Sequence, residues 1–119
     1  MQYMLLIYSQ QAAKPSFGAP EFEKMMGGYF ALHERMKADG VLRGGDGLQG
    51  VETATSLRVR ANKVETMDGP FAETKEHLGG YFIVDVPDLD AALRYAAMIP
   101  SAAFGTIEVR PLMIYNSVA

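Results

Sequence analysis

The chain has 119 residues, 49% of them hydrophobic and 21% charged, which is the size and balance of one globular domain and excludes a disordered or fibrous chain. Eleven Lys and Arg against fourteen Asp and Glu leave a net charge of −3, and without a basic run this excludes a phosphate-binding surface and so nucleic acid as a partner. Cysteine is absent and His33 and His77 are the only two histidines, so a disulfide framework, a thiolate nucleophile and a metal cage are excluded.

Met1 to Tyr8 is apolar but too short to span a membrane, and it lacks the flanks of a signal peptide; the expectation is a cytoplasmic protein with no membrane partner. Within it, Tyr3 to Tyr8 reads as a strand in the middle of a sheet. Ser9 to Pro20, broken by Pro15, Gly18 and Pro20, reads as a long surface loop of the kind that borders binding sites. From Glu21 to Asp39, Phe22, Met25, Met26, Tyr29, Leu32 and Met36 recur at three and four, the spacing of an amphipathic helix. Pro20 suits its first turn and Gly40 its left-handed stop. Gly27-Gly28 weakens the helix and predicts close approach of its backbone to a neighbour.

Val41 to Gly50 carries Gly44, Gly45, Gly47 and Gly50 and reads as an irregular strand or loop with bulges. Ser56 to Arg60 alternates, with Leu57 and Val59 toward the core, and Val64 and Met67 continue that pattern beyond Ala61-Asn62, predicting a hairpin. A two-residue turn sets Val59 opposite Val64 and Arg58 opposite Glu65, with Arg58 and Arg60 as exposed ion-pair partners or an anion site. Gly79 to Val86 reads as a second central strand with a bulge at its glycines. Asp88 then caps a helix whose buried face is Leu89, Ala92, Leu93, Ala96 and Ile99, and Pro100 stops it. Thr106 to Arg110 forms a last strand, and Leu112 to Tyr115 a short edge or arm.

This order yields an α+β, ferredoxin-like fold with a predominantly antiparallel sheet and two main helices on one face. Tyr3, Leu5, Ile7, Phe82 and Val84 alternate against Met4, Leu6, Tyr81 and Ile83, so both faces are apolar and helices cover one. The second face predicts a homodimer packed sheet against sheet.

Asp68-Gly-Pro-Phe-Ala-Glu-Thr-Lys-Glu76, followed by Leu78-Gly-Gly-Tyr-Phe82, resembles the signature of the DGPF group of YCII-related proteins, and the flanks resemble that group over nearly the whole chain. The resemblance implies a single domain, residues 1–119, that forms a dimeric α+β barrel. The wider superfamily includes lactone isomerases, heme-degrading and quinone-forming monooxygenases and proteins of unknown activity. In YCII-type relatives a helix histidine with an Asp is thought to act as an acid/base pair. Counting back from Gly40, that position falls at Tyr29, whereas the helix histidine here is His33, one turn later.

Asp68, at a strand end in a Gly-Pro turn, is a candidate acid/base group or a loop-fixing Asx cap. Tyr29 and His33 share a helix face at i and i+4, and Asp46 is positioned to approach that face as their acid/base partner. Glu73 and Lys75 are substrate-binding candidates or members of a solvated charge cluster, and Phe71 is a ligand-stacking or loop-anchoring residue. His77 adjoins the signature without a metal partner. Gly44-Gly-Asp-Gly47 lacks the ending of a phosphate-binding loop. With no cofactor motif, the expectation is a small dimeric protein that binds a small organic molecule, with cofactor-free isomerase- or lyase-like proton transfer as its chemistry. Such chemistry requires these groups to share a cavity. The alternative is a non-catalytic ligand sensor or accessory protein linked to transcriptional regulators.

Overall fold

A computed structural model describes residues 1–72 and 74–115. The chain runs β1 (Gln2–Ser9), α1 (Pro20–Ala38), β2 (Leu42–Gly47), β3 (Thr55–Arg60), β4 (Lys63–Asp68), β5 (His77–Asp85), α2 (Leu89–Ala97) and β6 (Thr106–Pro111). Four strands form one sheet in the order β2-β5-β1-β6, with antiparallel neighbours throughout. This is the ferredoxin-like arrangement of two split β-α-β units, with the β3–β4 hairpin inserted between β2 and β5. Among the described residues no helix is long and apolar enough to cross a membrane.

Alternation along the central strands sorts the side chains into two faces. Tyr3, Leu5, Ile7, Val84 and Val86 are buried on the helix side, where they pack with Leu32 and Met36 of α1, Ala91, Ala92 and Ala96 of α2, and Ile99. Met4 pairs with Ile83 and Leu6 with Tyr81 on the other side, and all four are only partly buried. The molecule is 19 Å thick, about the depth of one helix layer on one sheet, so this second face is open in the single chain.

Local signals explain the helix ends. Pro20 opens α1, Gly40 follows it at φ +74, and the Asp88 side chain accepts a hydrogen bond from the Ala91 backbone N–H to cap α2. Gly28 meets the expectation of close approach, since a Cβ there would lie 2.9 Å from Pro100 Cγ, whereas Gly27 has nothing within 4 Å. The bulges also fall at the glycines, between Leu42 and Gly44 in β2 and opposite Ile7 and Tyr8 at the start of β5.

The hairpin has the expected register, Val59 opposite Val64 and Arg58 opposite Glu65, around Ala61 and Asn62 at φ 51 and 64. Its surroundings differ from the expectation. Leu57 and Val59 are 60% and 55% exposed, because the hairpin forms its own two-stranded sheet rather than joining the central one. Met67 pairs with Ser56, on the face opposite Val64, as the odd spacing between the two residues requires. The radius of gyration is 16.6 Å, against about 13–14 Å for a compact chain of this length.

On the expected face of helix α2, Ala92, Ala96 and Ile99 are buried, but the two leucines are not. Ala91, Ala92 and Ala96 are buried, while Leu89 and Leu93 are 48% and 47% exposed. Tyr95 packs on the core and donates its hydroxyl to Asp39 Oδ2 at 2.6 Å, the carboxylate that Arg35 also holds at 3.0 Å. Those two bonds keep Asp39 below the usual carboxylate range, Tyr95 first and Arg35 second. The N-terminal half of α1 overhangs the sheet, leaving Met26 48% exposed. Leu112 to Tyr115 adds no strand; only the Leu112 N–H continues the pairing, donating to Gln2 O.

Leu5 is fully buried in the central strand. Leu5→Ala is expected to lower unfolding free energy by about 2–5 kcal/mol, read as a fall in the urea midpoint at unchanged slope.

Candidate functional site

Under the overhang of α1 lies a cavity of about 340 Å³. Met25, Met26 and Tyr29 of the helix roof it, and Ile7, Ser9 and Phe82 belong to its sheet side. Gly45 and Gly80 supply wall without side chains. A Cβ on Gly45 would meet Phe82 Cδ1 at 2.8 Å and Tyr81 O at 2.9 Å, so the close fit of β2 on β5 requires glycine there. The Tyr29 ring stacks on Phe82 with centroids 6.4 Å apart, and its hydroxyl lies 2.6 Å from Ser101 Oγ.

Ser101 is 5% exposed and sits in the short 3₁₀ turn Pro100–Ala103 beyond α2. Burial pushes the Tyr29 hydroxyl above its ordinary pKa of 10.0, and the Ser101 hydrogen bonds only partly oppose this. Tyr29 therefore carries its proton at neutral pH. When Ser101 donates to Tyr29, the tyrosine proton is free for a ligand oxygen. The site thus presents a neutral hydrogen-bond donor or general acid, not a phenolate base.

Asp46 lines the same cavity, but its carboxylate belongs to the other side of the sheet. Cross-strand pairing sets Asp46 beside Tyr81 and Tyr81 beside Leu6 on the open face, while Gly45 pairs with Phe82 on the helix face. Tyr81 donates its hydroxyl to Asp46 Oδ2 at 2.8 Å, and that bond raises the tyrosine's pKa. Asp46 accordingly partners Tyr81 rather than Tyr29 or His33.

The remaining candidates lie apart. His33 has a half-exposed side chain 3.7 Å from a Glu34 carboxylate oxygen and lines a shallow hollow with Lys37 and Arg43. Asp68 is exposed at the end of β4, and among the described residues its carboxylate takes no hydrogen bond. The turn after it is held instead by Gly69, whose N–H donates to Ala54 O and whose carbonyl accepts from Ser56 Oγ, each at 2.7 Å. Phe71 is 70% exposed and lines a second hollow at the foot of the hairpin, with Tyr8, Leu48 and His77. His77 Nδ1 is 3.5 Å from Thr74 Oγ1. Lys75 is exposed, and Glu73 lies outside the described residues. Among the described residues no group of three His, Asp or Glu side chains is placed to hold a metal ion.

The YCII-related domain model matches residues 1–116. The chain belongs to the YCII-related family. An uncharacterized protein of Rhizobium meliloti (strain 1021) is 35% identical over 118 residues, covering 98% of this chain and 95% of that protein.

In this YCII-related chain, Ser9, Lys14 and Ser101 join Tyr29 at the cavity although sequence reasoning passed over all three. Ser9 carried a signal: it continues the alternation of Tyr3, Leu5 and Ile7 and is 2% exposed, a polar residue at a core-facing position. Lys14 and Ser101 sit in irregular segments where no period marks a face.

Tyr29→Phe removes the bond to Ser101 and should cost about 1 kcal/mol of stability at pH 7. Because the folded state holds the Tyr29 proton more tightly than the unfolded chain, wild-type stability falls as pH rises from about 10 toward the folded value. The gap between wild type and Tyr29→Phe should therefore narrow above pH 10 in denaturation curves taken across that range.

Proposed function

We propose that this protein binds a small organic molecule in the Tyr29–Ser101 cavity and that Tyr29 donates its hydroxyl proton to an oxygen of that molecule. The observation that carries this reading is the 2.6 Å Tyr29–Ser101 contact, set in a cavity whose size falls at the lower end of the range typical of ligand pockets. The apolar Met25, Met26 and Phe82 side chains supply contact area, and the two hydroxyls supply orientation. The nine-residue run from Asp68 to Glu76 supports placing the chain in the DGPF group of its family.

Proton transfer by a cofactor-free isomerase- or lyase-like route is the chemistry that a neutral tyrosine donor would serve. The Asp46–Tyr81 pairing on the opposite face favours the second reading, binding without turnover as a sensor or accessory protein, because it directs the nearest carboxylate away from Tyr29. Incubation with carbonyl compounds and lactones in D2O separates the two. Enzyme-dependent deuterium uptake at carbon that falls about 100-fold or more in Tyr29→Phe supports catalysis; ligand-induced thermal stabilisation without any exchange supports the sensor. Absence of both, for compounds that fit the cavity, overturns the reading.

The assembly proposed is a homodimer through the open face of the sheet, where Met4, Leu6 and Ile83 form an apolar strip flanked by Tyr8 and Tyr81. A sheet-on-sheet dimer would complete an α+β barrel with the helices outside. Light scattering should give twice the 13.0 kDa chain mass, and Leu6→Lys should give the single-chain mass with far-ultraviolet circular dichroism unchanged. A monomeric wild type would contradict the assembly.

A further inference from the structure

The charge at the cavity mouth says what kind of molecule enters. Lys14 lines the cavity from the loop after β1, and its ammonium is folded back over the bulge of β5, where a Cβ on Gly79 would come within 3.3 Å of Nζ. Among the described residues no carboxylate oxygen lies within 4.0 Å of that ammonium. Asp46, the lining residue of opposite charge, gives its Oδ2 to Tyr81 on the other face. Among the described residues the Lys14 ammonium is thus without an ion pair, at a cavity also lined by Tyr29, Ser9 and Ser101 and walled by Met25, Met26 and Phe82, with the Asp46 carboxylate turned to the far side.

We propose that the Tyr29–Ser101 cavity selects small organic monocarboxylates, with Lys14 Nζ as counter-ion to the carboxylate and the apolar body of the molecule seated against Phe82. This rests on the reading of the cavity as a ligand site and adds the class of ligand. A single ammonium matches one negative charge. A phosphate dianion would call for the several donors and cations of a phosphate site, and a cation would meet Lys14 with repulsion. The ring of Phe82, already stacked with Tyr29, favours a planar or aromatic body. Since Lys14 is exposed, its attraction is screened by salt.

The test is a titration of the full chain, followed by NMR at Tyr29, Gly45 and Gly80, with benzoate and with its neutral counterpart benzamide, in wild type, Lys14→Gln and Lys14→Arg. Benzoate is expected to bind wild type about tenfold more tightly than benzamide at low salt. That preference should shrink with added salt, persist in Lys14→Arg and vanish in Lys14→Gln. Benzamide binding as tightly as benzoate, or a preference that survives Lys14→Gln, overturns the proposal and leaves the cavity standing as a ligand site. If neither compound shifts these resonances up to millimolar concentration, the proposal falls, and the same spectra show whether other small molecules reach the cavity and the broader reading survives.

Discussion

Two helices packed on one face of a four-stranded sheet decide which side chains of this protein can meet. Leu5, Val84 and Ile99 are closed off beneath them, and every residue of β1 and β5 is assigned by alternation to the covered or the open side. Tyr29, Phe82 and Ser101 fall on the covered side; Asp46, Tyr81 and Tyr8 fall on the other. The sheet backbone separates the two sets, so groups near in sequence or lining a common edge do not thereby share chemistry. Tyr29 and Asp46 are the clearest instance.

The covered side is not filled to its edge. Beneath the first half of helix α1, Gly45 and Gly80 present no side chains, and space rather than core lies there. Burial there raises the tyrosine's pKa further above neutrality, and among the described residues the Lys14 ammonium has no carboxylate oxygen within 4.0 Å. A neutral donor, a positive rim and an apolar floor are the conditions for holding a small molecule by an oxygen-bearing end. The open face has a different character, with an apolar strip across its centre and a polar Tyr81–Asp46 bond at the side of β2.

Much of the fold was legible in the sequence because it is written in short periods. The alternation of Tyr3 to Tyr8 against Tyr81 to Val84 sets both sheet faces, and matching of apolar with apolar and charge with charge across Ala61-Asn62 sets the hairpin register. What periodicity cannot reveal is what an element packs against. Leu57 and Val59 have the pattern of a core strand yet stand in solvent in the single chain, and Leu89 and Leu93 fit a helical stripe whose other members, Ala92, Ala96 and Ile99, are buried while these two are half exposed. The site was less legible. Tyr29 was legible through its i, i+4 spacing from His33, which lies apart from the cavity, but Lys14 and Ser101 reach it from irregular segments, and Asp68 drew attention to a turn that the Gly69 backbone and Ser56 hold in place.

The most direct test of the account is a crystal structure of the protein soaked with a mixture of small organic acids, amides and alcohols. The account predicts density beneath α1, with an oxygen of the bound molecule within hydrogen-bond distance of the Tyr29 hydroxyl. Density instead on the open face against Tyr81 and Asp46, or in the hollow beside Phe71 with the Tyr29 cavity empty, would contradict it.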